Sequence, residues 1–327
     1  MFNMGPPRNG FLSSSNTLPP RSRIVWAADS PARPPPTTIT LAIFFMVEVC
    51  GVFIYPVKSC SGIALDSSRL IESGFEFDRQ WIVVNDEWKM VTQRQLPRMV
   101  LIQPSLSTDA LRLTAPDCES IEVSLRSTGG SRTVRVWDDT VAGLDEGDAV
   151  SQWLSSFLGA SVRLLRKDPS KPRIIDHPPS NYTPQTQFSD GYQLHLISKE
   201  SLDDINSRSM ASSDPNPVSH RNFRPNILVT GCSQAFQEDE WSHIRIGSCV
   251  FHVVSLVTRC TIPSNNTETG QMGSQPTKLL QSYRRVDPSA KYKSVVGISL
   301  VHDSLGLSVA IGDSLEISDD PFNHKEI

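Results

Sequence analysis

Cys260 is the residue of this chain best placed to do chemistry. It stands in the run Val257-Thr258-Arg259-Cys260-Thr261-Ile262-Pro263, at the end of an apolar segment. A neighbouring positive charge such as that of Arg259 favours the ionised form of a thiol. Thiolates bind soft metals and attack electrophiles. A lone cysteine is more often a buried, inert thiol, so Cys260 indicates chemistry only together with other groups.

Basic and hydroxyl side chains that could supply those groups stand near the ends of predicted strands. They are Lys58, Ser59, Arg79, Arg94, Arg224 and Arg259. The planar fork of arginine suits phosphate oxygens bidentately. Each arginine alone is more often part of a surface ion pair. Together they predict a pocket for a phosphorylated cofactor, although sequence spacing does not show that they converge.

Several other kinds of site are not indicated. The six cysteines include no CxxC pair, which argues against zinc ribbons and iron–sulfur clusters. The seven histidines form no HxH or HExxH spacing, and the GxSxG, GxxxxGK[ST] and GxGxxG patterns are missing. A formal net charge of -4 gives no electrostatic reason to expect nucleic acid as a partner. Dispersed cysteines predict reduced thiols and an intracellular compartment.

The elements that would position these residues are mostly short strands. In the first part the predicted strands are Val52–Tyr55, Trp81–Val84, Met99–Ile102, Ala110–Leu113 and Val134–Trp137. Strands at this spacing suggest a barrel or a sandwich. A helix is predicted over Asp145–Leu158, capped by Asp145 or Asp148 and ended by Gly159. The proline-rich stretch from Arg166 to Thr186 predicts a linker or long loop.

A second, more mixed unit follows. Ser198 is predicted to cap a short helix that contains Leu202 and Ile205, and Pro276 suits the first turn of another. The predicted strands are Asn226–Thr230, Ile244–Leu256, Val295–Val301, Leu307–Ile311 and Leu315–Ile317.

The amino-terminal segment differs from the rest in composition. Residues 1–28 contain three arginines and no acidic residue among many serines and prolines. This composition is typical of an organelle transit peptide, and equally of a disordered tail without an address. We expect residues 1–46 to be a targeting or disordered segment, or the product of a wrongly set start. A membrane span is doubtful, because the apolar run from Ile39 to Tyr55 is interrupted by Glu48.

The motifs resemble those of MOSC-domain proteins of the mitochondrial amidoxime-reducing type, in particular plant-like members. The resemblance covers about Val47 to Ile317, with its motifs in the expected order. The stretches that carry it are Ile54-Tyr-Pro-Val-Lys-Ser-Cys60, Asp78-Arg-Gln-Trp81, Val91-Thr-Gln-Arg-Gln95, Asn222-Phe-Arg-Pro-Asn-Ile227, Arg259-Cys260, Lys278-Leu-Leu-Gln-Ser-Tyr-Arg284 and Ile311-Gly-Asp313.

The resemblance implies an α+β fold that is predominantly β. An N-terminal β-barrel-like domain over residues 47–168 would precede a MOSC β-barrel domain with peripheral helices over residues 169–319, followed by a tail at 320–327. It also implies a molybdenum cofactor whose metal is bound by Cys260. Residues expected to hold the pterin and its phosphate are Lys58, Ser59, Arg79, Arg224, Asn226, Thr258 and Arg259, with Arg94 a weaker candidate.

The implied reaction is the reduction of N-hydroxylated compounds, such as amidoximes, to amidines or amines. Because the chain has no flavin or iron–sulfur motif, electrons would come from a b-type cytochrome and its NADH-dependent reductase, as in the family. The implied location is mitochondrial or another organelle, with the cytoplasm as the alternative. Two departures bear on the substrate: Gln193 stands where many members have proline, and the sequence around Cys260 is altered.

One rival interpretation is a sulfur-carrier or cofactor-maturation role. Related MOSC domains form one part of molybdenum cofactor sulfurases, whose other part is a pyridoxal-phosphate desulfurase, and 327 residues leave no room for that part. Cys260 would then carry a persulfide. Another alternative is a cofactor-binding module without catalysis.

Overall fold

β-Strands dominate the architecture, as predicted. The computed structural model describes residues 46–126, 129–175, 182–286 and 293–320. The first-half strands are β1 Val47–Ile54, β2 Ile63–Leu65, β3 Ser67–Ile71, β4 Gly74–Phe75, β5 Trp81–Val84, β6 Gln103–Leu106, β7 Ala110–Ala115, β8 Cys118–Ser124, β9 Ser131–Val136, β10 Asp139–Asp145 and β11 Arg163–Lys167. The later strands are β12 Arg173–Ile174, β13 Gln185–Thr186, β14 Leu194–Ser198, β15 Ile227–Thr230, β16 His243–Ile246, β17 Cys249–Arg259, β18 Ser294–His302, β19 Ser308–Ala310 and β20 Ser314–Ser318.

Four α-helices accompany these strands in the described part of the chain. They are α1 Asp148–Leu158, α2 Lys199–Met210, α3 His220–Phe223 and α4 Thr277–Tyr283. Short 3-10 turns occupy Pro97–Leu101, Gln237–Glu240 and Ile262–Ser264. Within these described ranges, no helix has the length and apolar content needed to cross a bilayer.

The larger sheet closes into a barrel of seven strands. Its order is β15-β14-β18-β17-β16-β20-β1, and β1 returns to pair with β15, while β2 extends the sheet from β1. The β14–β15 pair is parallel, and the other pairs are antiparallel. Val52, Leu196 and Ile298 are fully buried in its core. Burial of such β-branched and aliphatic side chains is the main stabilising contribution.

A smaller closed sheet is formed by the first half of the chain. Strands β5, β11, β10 and β9 pair in that order. The segment around Lys89 and Met90 bridges the two edges, because Lys89 pairs with Arg135 and Met90 with Val84. The sheet β6-β7-β8 and helix α1 share a separate apolar core. The predicted first domain, residues 47–168, includes β1, but β1 pairs with strands of the larger barrel. The domain boundary between residues 168 and 169 therefore remains a prediction.

Several local predictions are confirmed. Ser198 caps α2 by accepting a hydrogen bond from the backbone N–H of Ser201. Gly159 ends α1 in the left-handed conformation with φ 68°, which a residue without Cβ adopts readily. The six cysteines are free thiols.

Three local predictions are wrong. Residues 99–102 are not a strand, because Pro97 begins a 3-10 turn that buries Met99 and Val100; a short apolar run does not distinguish the two. Neither aspartate caps α1. Its N-cap is Gly147, whose N–H donates to the carboxylate of Asp145 at the end of β10 over 3.0 Å.

The predicted loop from Arg166 to Thr186 also contains ordered strands. Arg166 and Lys167 complete β11, which pairs with both β5 and β10. Its remaining described part carries the short β12–β13 hairpin. The polar composition of this stretch therefore concealed a buried strand.

Gln193, predicted to stand where many members of the resembled family have proline, is buried and joins two segments of the fold. Its Nε2 donates to the carbonyl of Glu72 over 2.7 Å and to the hydroxyl of Tyr182 over 3.0 Å. Its Oε1 accepts the backbone N–H of His302 over 3.1 Å. The carboxamide thereby connects the β3–β4 hairpin to the end of β18, which proline could not do.

His302 is buried beside this joint as a neutral imidazole. Its Nδ1 accepts the N–H of Ser304 over 3.2 Å, so the ring proton is on Nε2, 2.8 Å from the carbonyl of Ile71. Burial lowers the pKa of His302 to about 4, although the bond to Ile71 raises it.

We expect His302→Gln to reduce the acid sensitivity of the fold. An unfolded histidine has a pKa of about 6.5, so the unfolded chain binds the proton that the native state excludes. The stability from His302 is complete above about pH 6.5 and is lost as the pH falls towards the folded pKa. Between pH 7 and 5 the variant should lose about 2 kcal/mol less unfolding free energy than the wild type.

Urea unfolding at both pH values measures this difference. His243→Gln, at the first residue of β16, serves as the control for removing a histidine. Equal losses in wild type and His302→Gln would contradict the assignment.

Candidate functional site

Cys260 is the first residue after β17 and is half-buried. The 3-10 turn Ile262–Ser264 follows at once, and the N–H of Ile262 points to the Cys260 sulfur over 3.4 Å. Pro263 gives this turn its fixed φ and is itself buried. The chain thus presents the thiol at a strand end, with a backbone donor directed at it.

The side chain of Arg259 is held by two backbone carbonyls and a histidine. Its Nε donates to the carbonyl of Val296 over 3.0 Å, and Nη1 donates to the carbonyl of Phe223 over 3.2 Å. Nη2 lies 2.6 Å from Nε2 of His195. Burial lowers the pKa of Arg259 to about 9, against the opposing charges of Cys260 and Asp190. Its guanidinium is therefore surrounded by neutral acceptors.

Arg79 is held by a buried acid and a buried amide. Its Nη1 donates to the Asp78 carboxylate over 2.6 Å and to Oδ1 of Asn226 over 2.8 Å. The other oxygen of Asp78 accepts the N–H of Tyr55 over 2.8 Å, while Nδ2 of Asn226 donates to the carbonyl of Phe53 over 3.1 Å. Arg79 and Asn226, predicted as site residues, are thus brought together at the end of β1.

The ring of Tyr55 carries two guanidinium groups. Arg79 lies 4.4 Å and Arg224 4.2 Å from its centroid, distances at which a cation is attracted to an aromatic face. Arg224 also donates to the carbonyl of Cys60. Burial, and next the charge of Arg79, lower the pKa of Arg224 to about 10. Two like charges are therefore close together in a desolvated place.

Lys58 and Asp190 form a second part of the site. Nζ of Lys58 donates to the carbonyl of Phe188 and to the Asp190 carboxylate, each over 2.7 Å. Desolvation lowers the pKa of Lys58, while Asp190 raises it. Desolvation also acts to raise the pKa of Asp190, but the charge of Lys58 keeps it below the ordinary value. The Lys58 side chain is 8% exposed and that of Asp190 is 62% exposed, so this pair joins a buried ammonium to a carboxylate at the protein surface.

Arg94 lies at the rim. Its guanidinium is 4.7 Å from the ring centroid of Trp137, whose Nε1 donates to Asp190 over 2.9 Å. The charge of Arg94 helps to lower the pKa of Asp190. The structure therefore places Arg94 beside Asp190 and Trp137, and shows no contact with the Arg79–Arg224 pair.

Ser59 and Thr258 differ in burial. Ser59 is buried with φ 69°, and its carbonyl accepts Nε2 of Gln93 over 2.7 Å. Oε1 of Gln93 accepts Nδ2 of Asn265 over 3.0 Å, which ties the Ser59 loop to the segment after Cys260. Thr258 is exposed on β17. Because strand side chains alternate, it faces away from Arg259.

The residues present fit an anionic cofactor that carries a soft metal. Carbonyl oxygens, rather than carboxylates, hold Arg224 and Arg259. Their positive charge is therefore not compensated within the described part of the chain by a directly bonded acid. Buried charges are costly unless they are paired, and a phosphate group would supply that pairing. Cys260 adds a thiolate donor of the type that soft metals prefer.

Comparison with known proteins identifies the family of the chain. Residues 46–161 match the family described as the MOSC N-terminal beta barrel domain, and residues 183–316 match the MOSC domain. The chain belongs to the MOSC-domain family.

Curated relatives define the branch of the family. The chain is 34% identical to mitochondrial amidoxime reducing component 2 of Bos taurus over 282 residues, or 81% of each chain. It is also 34% identical to mitochondrial amidoxime-reducing component 1 of Homo sapiens over 254 residues, or 74% of each.

Sequence reasoning missed four residues of the site. Asp78, Trp137, Asp190 and His195 contact the predicted ligands. Asp78 has a visible signal, since it precedes Arg79. The other three have none, because the partners of Trp137, His195 and Asp190 are 43, 64 and 132 positions away in the chain, and no spacing rule connects them.

We expect Cys260 to be alkylated faster than the buried cysteines in protein made by a host without molybdopterin. Cys60 and Cys249 are fully buried, and burial raises the pKa of each thiol to about 12. At pH 8 about one in ten thousand of such thiols is ionised, so Cys260 should react at least about a hundredfold faster.

Peptide mapping after iodoacetamide treatment measures the rates. Cys118, which is also half-buried, is the internal reference. Labelling of Cys60 at the rate of Cys260 would mean that the pocket is not built as described.

Proposed function

We propose that this protein is a molybdenum-cofactor-dependent oxidoreductase that reduces N-hydroxylated compounds, converting amidoximes to amidines. The observation that carries the proposal is the half-buried Cys260 beside a group of desolvated cations, in a chain that matches amidoxime-reducing components over most of its length. The names of these relatives also support a mitochondrial location. The reaction consumes two electrons and two protons, breaks the N–O bond and releases water.

The cofactor would be molybdopterin with molybdenum. When bound, it supplies two-electron redox chemistry and an affinity for oxygen. Cys260 would ligate the metal. The cations Lys58, Arg79, Arg224 and Arg259 would bind the phosphate and pterin, with Ser59 and Asn226 as polar ligands and Arg94 at the rim. Thr258, whose side chain faces away from Arg259, would contact the cofactor through its backbone. We propose residues 47–168 as the N-terminal domain and residues 169–319 as the MOSC domain, with β1 of the first contributing a strand to the barrel of the second.

The chain's own residues would bind and orient the reactants. Asn226 fixes the direction of the Arg79 fork, since its Oδ1 accepts one N–H at 2.8 Å. Tyr55 keeps Arg79 and Arg224 together on its ring. Asp190 holds the ammonium of Lys58. Electrons would come from a partner, for which we propose a b-type cytochrome and its NADH-dependent reductase.

Cys260→Ala should abolish amidoxime reduction while leaving the fold intact. We expect about one molybdenum per chain in wild-type protein from a cofactor-competent host. In the variant, pterin should be retained, the metal content or its redox signal should change, and turnover should fall at least about a hundredfold because the thiolate ligand is gone. Cys118→Ala is the matched control and should behave as wild type.

The assay supplies NADH, the reductase and the cytochrome, each omitted in turn. Wild-type protein without molybdenum and pterin would end the proposal, and a persulfide on Cys260 would then support the sulfur-carrier role. Undiminished turnover without the cytochrome would rule out that partner alone.

Arg79→Lys should weaken cofactor binding although it keeps the charge. A lysine ammonium cannot reproduce the fork that joins Asp78, Asn226 and the carbonyl of Arg224. We expect about tenfold less pterin retained after dialysis, measured by fluorescence of the oxidised pterin. Arg112→Lys, in an exposed pair with Glu122, should retain as much as wild type. Equal retention in both variants would remove Arg79 from the cofactor site.

A further inference from the structure

His195 is a largely buried residue of β14 that reaches the pocket from behind. Its Nε2 lies 2.6 Å from Nη2 of Arg259. It contacts Arg259, the residue before Cys260 in the chain. The family resemblance assigns no role to this position, and its strand context, Leu194-His195-Leu196, indicates only a core residue.

The contact requires a neutral imidazole. An arginine has only donors and keeps its proton, so at 2.6 Å the Nε2 of His195 must be the acceptor. The ring proton is then on Nδ1. Burial, followed by the charges of Arg259 and Arg79, lowers the pKa of His195 well below its usual range. The acceptor is therefore present throughout the neutral pH range.

Gly297 makes room for this contact. It has φ +75°, and a Cβ at this position would lie 2.7 Å from Nε2 of His195 and 2.5 Å from the carbonyl oxygen of Leu196. The residue before it, Val296, supplies the carbonyl that accepts Nε of Arg259. The imidazole and this carbonyl thus approach the same guanidinium only because position 297 has no side chain.

The backbone of His195 also positions Asn226, whose side chain holds Arg79. The N–H of Asn226 donates to the carbonyl of His195 over 2.7 Å, and Oδ1 of Asn226 accepts the N–H of His195 over 3.2 Å. The same Oδ1 accepts from Arg79. One residue of β14 therefore sets the position of Arg259 through its ring and of Arg79 through Asn226.

We propose that His195 is a positioning residue, which fixes the Arg259 guanidinium for the anionic part of the bound cofactor. The nature of that anion rests on the proposed function. The imidazole accepts one Nη2 proton and the carbonyl of Val296 accepts the other, which leaves Nη1, beyond its bond to Phe223, with one N–H for the anion. Without this acceptor, Arg259 would lose one of the groups that hold it and would sample other rotamers.

Two variants distinguish the effect of losing the hydrogen-bond acceptor from the effect of changing the packing of the ring. His195→Leu removes the acceptor and keeps an apolar side chain of similar bulk, whereas His195→Gln offers a carbonyl oxygen in its place. His252→Leu, a buried histidine near the opposite end of β17, is the matched control. Thermal melting of cofactor-free protein identifies variants that do not fold.

The first measurement is the rate at which pterin leaves the loaded protein. We expect about tenfold faster loss from His195→Leu, a smaller change for His195→Gln, and none for His252→Leu. The second is binding of inorganic phosphate to the cofactor-free protein by calorimetry, where His195→Leu should bind about tenfold more weakly.

The pterin and phosphate measurements test the role of His195 separately from the proposed molybdenum-cofactor function. Wild type without pterin would contradict the proposed function, and the phosphate measurement would still decide the role of His195. A folded His195→Leu with wild-type pterin loss and wild-type phosphate binding would overturn the inference. An equal effect of His195→Leu and His195→Gln on both measurements would show that ring packing, not the acceptor, is responsible.

Discussion

Desolvated positive charge is the constraint on which the pocket depends. Arg224 and Arg259 have lost enough water for their pKa values to fall to about 10 and about 9. Backbone carbonyls and the ring of Tyr55 hold them in place without neutralising them. Such an arrangement costs folding free energy, which a bound anion returns, because a ligand that binds only the native state stabilises it. The arrangement of these cations therefore favours ligand binding and lowers the stability of the ligand-free protein.

The backbone shows the same priority. Ser59, Arg79 and Arg224 have φ of 69°, 49° and 59°, and Trp137 at the rim has 56°. Non-glycine residues enter this left-handed region at a cost, and such residues cluster at functional sites. Glycine would relieve the strain at each position, but it would also remove the hydroxyl, guanidinium or indole that the pocket uses. The backbone at these four residues is therefore strained, and the strain keeps their side chains in the site.

Much of this could be predicted from the sequence. Alternating apolar runs located about half of the 20 described strands, and residue type at strand ends indicated Cys260, Arg79 and Arg224 as candidate site residues. The convergence of these residues came from the resemblance, since spacing carries no information about contacts between distant segments. What failed was local: Met99 and Val100 are apolar in a 3-10 turn as they would be in a strand, and Arg166 and Lys167 are polar within a buried strand. Periodicity reports burial, and burial alone does not specify the element.

His195 and Asp190 illustrate a second limit. Neither residue has a sequence signature, because each acts through a contact made across the fold, with Arg259 and Lys58 respectively. A neutral histidine between two leucines is indistinguishable from an ordinary core residue until the guanidinium beside it is seen.

The pairing of β1 has a consequence for how the chain reaches its native state. This strand, near the beginning, is completed on one side by β15 and on the other by β20, whose residues 315 and 314 lie opposite Val47 and Glu48. During synthesis, the last residues of β1 can pair early with β2, but the edge that β15 covers and the first residues that β20 covers must wait for much later segments. Such a high contact order predicts slow folding. A fragment that begins at residue 169 would lack strand β1 of the barrel. The edges of β15 and β20 would then be unpaired, and unpaired strand edges can pair with other chains and aggregate.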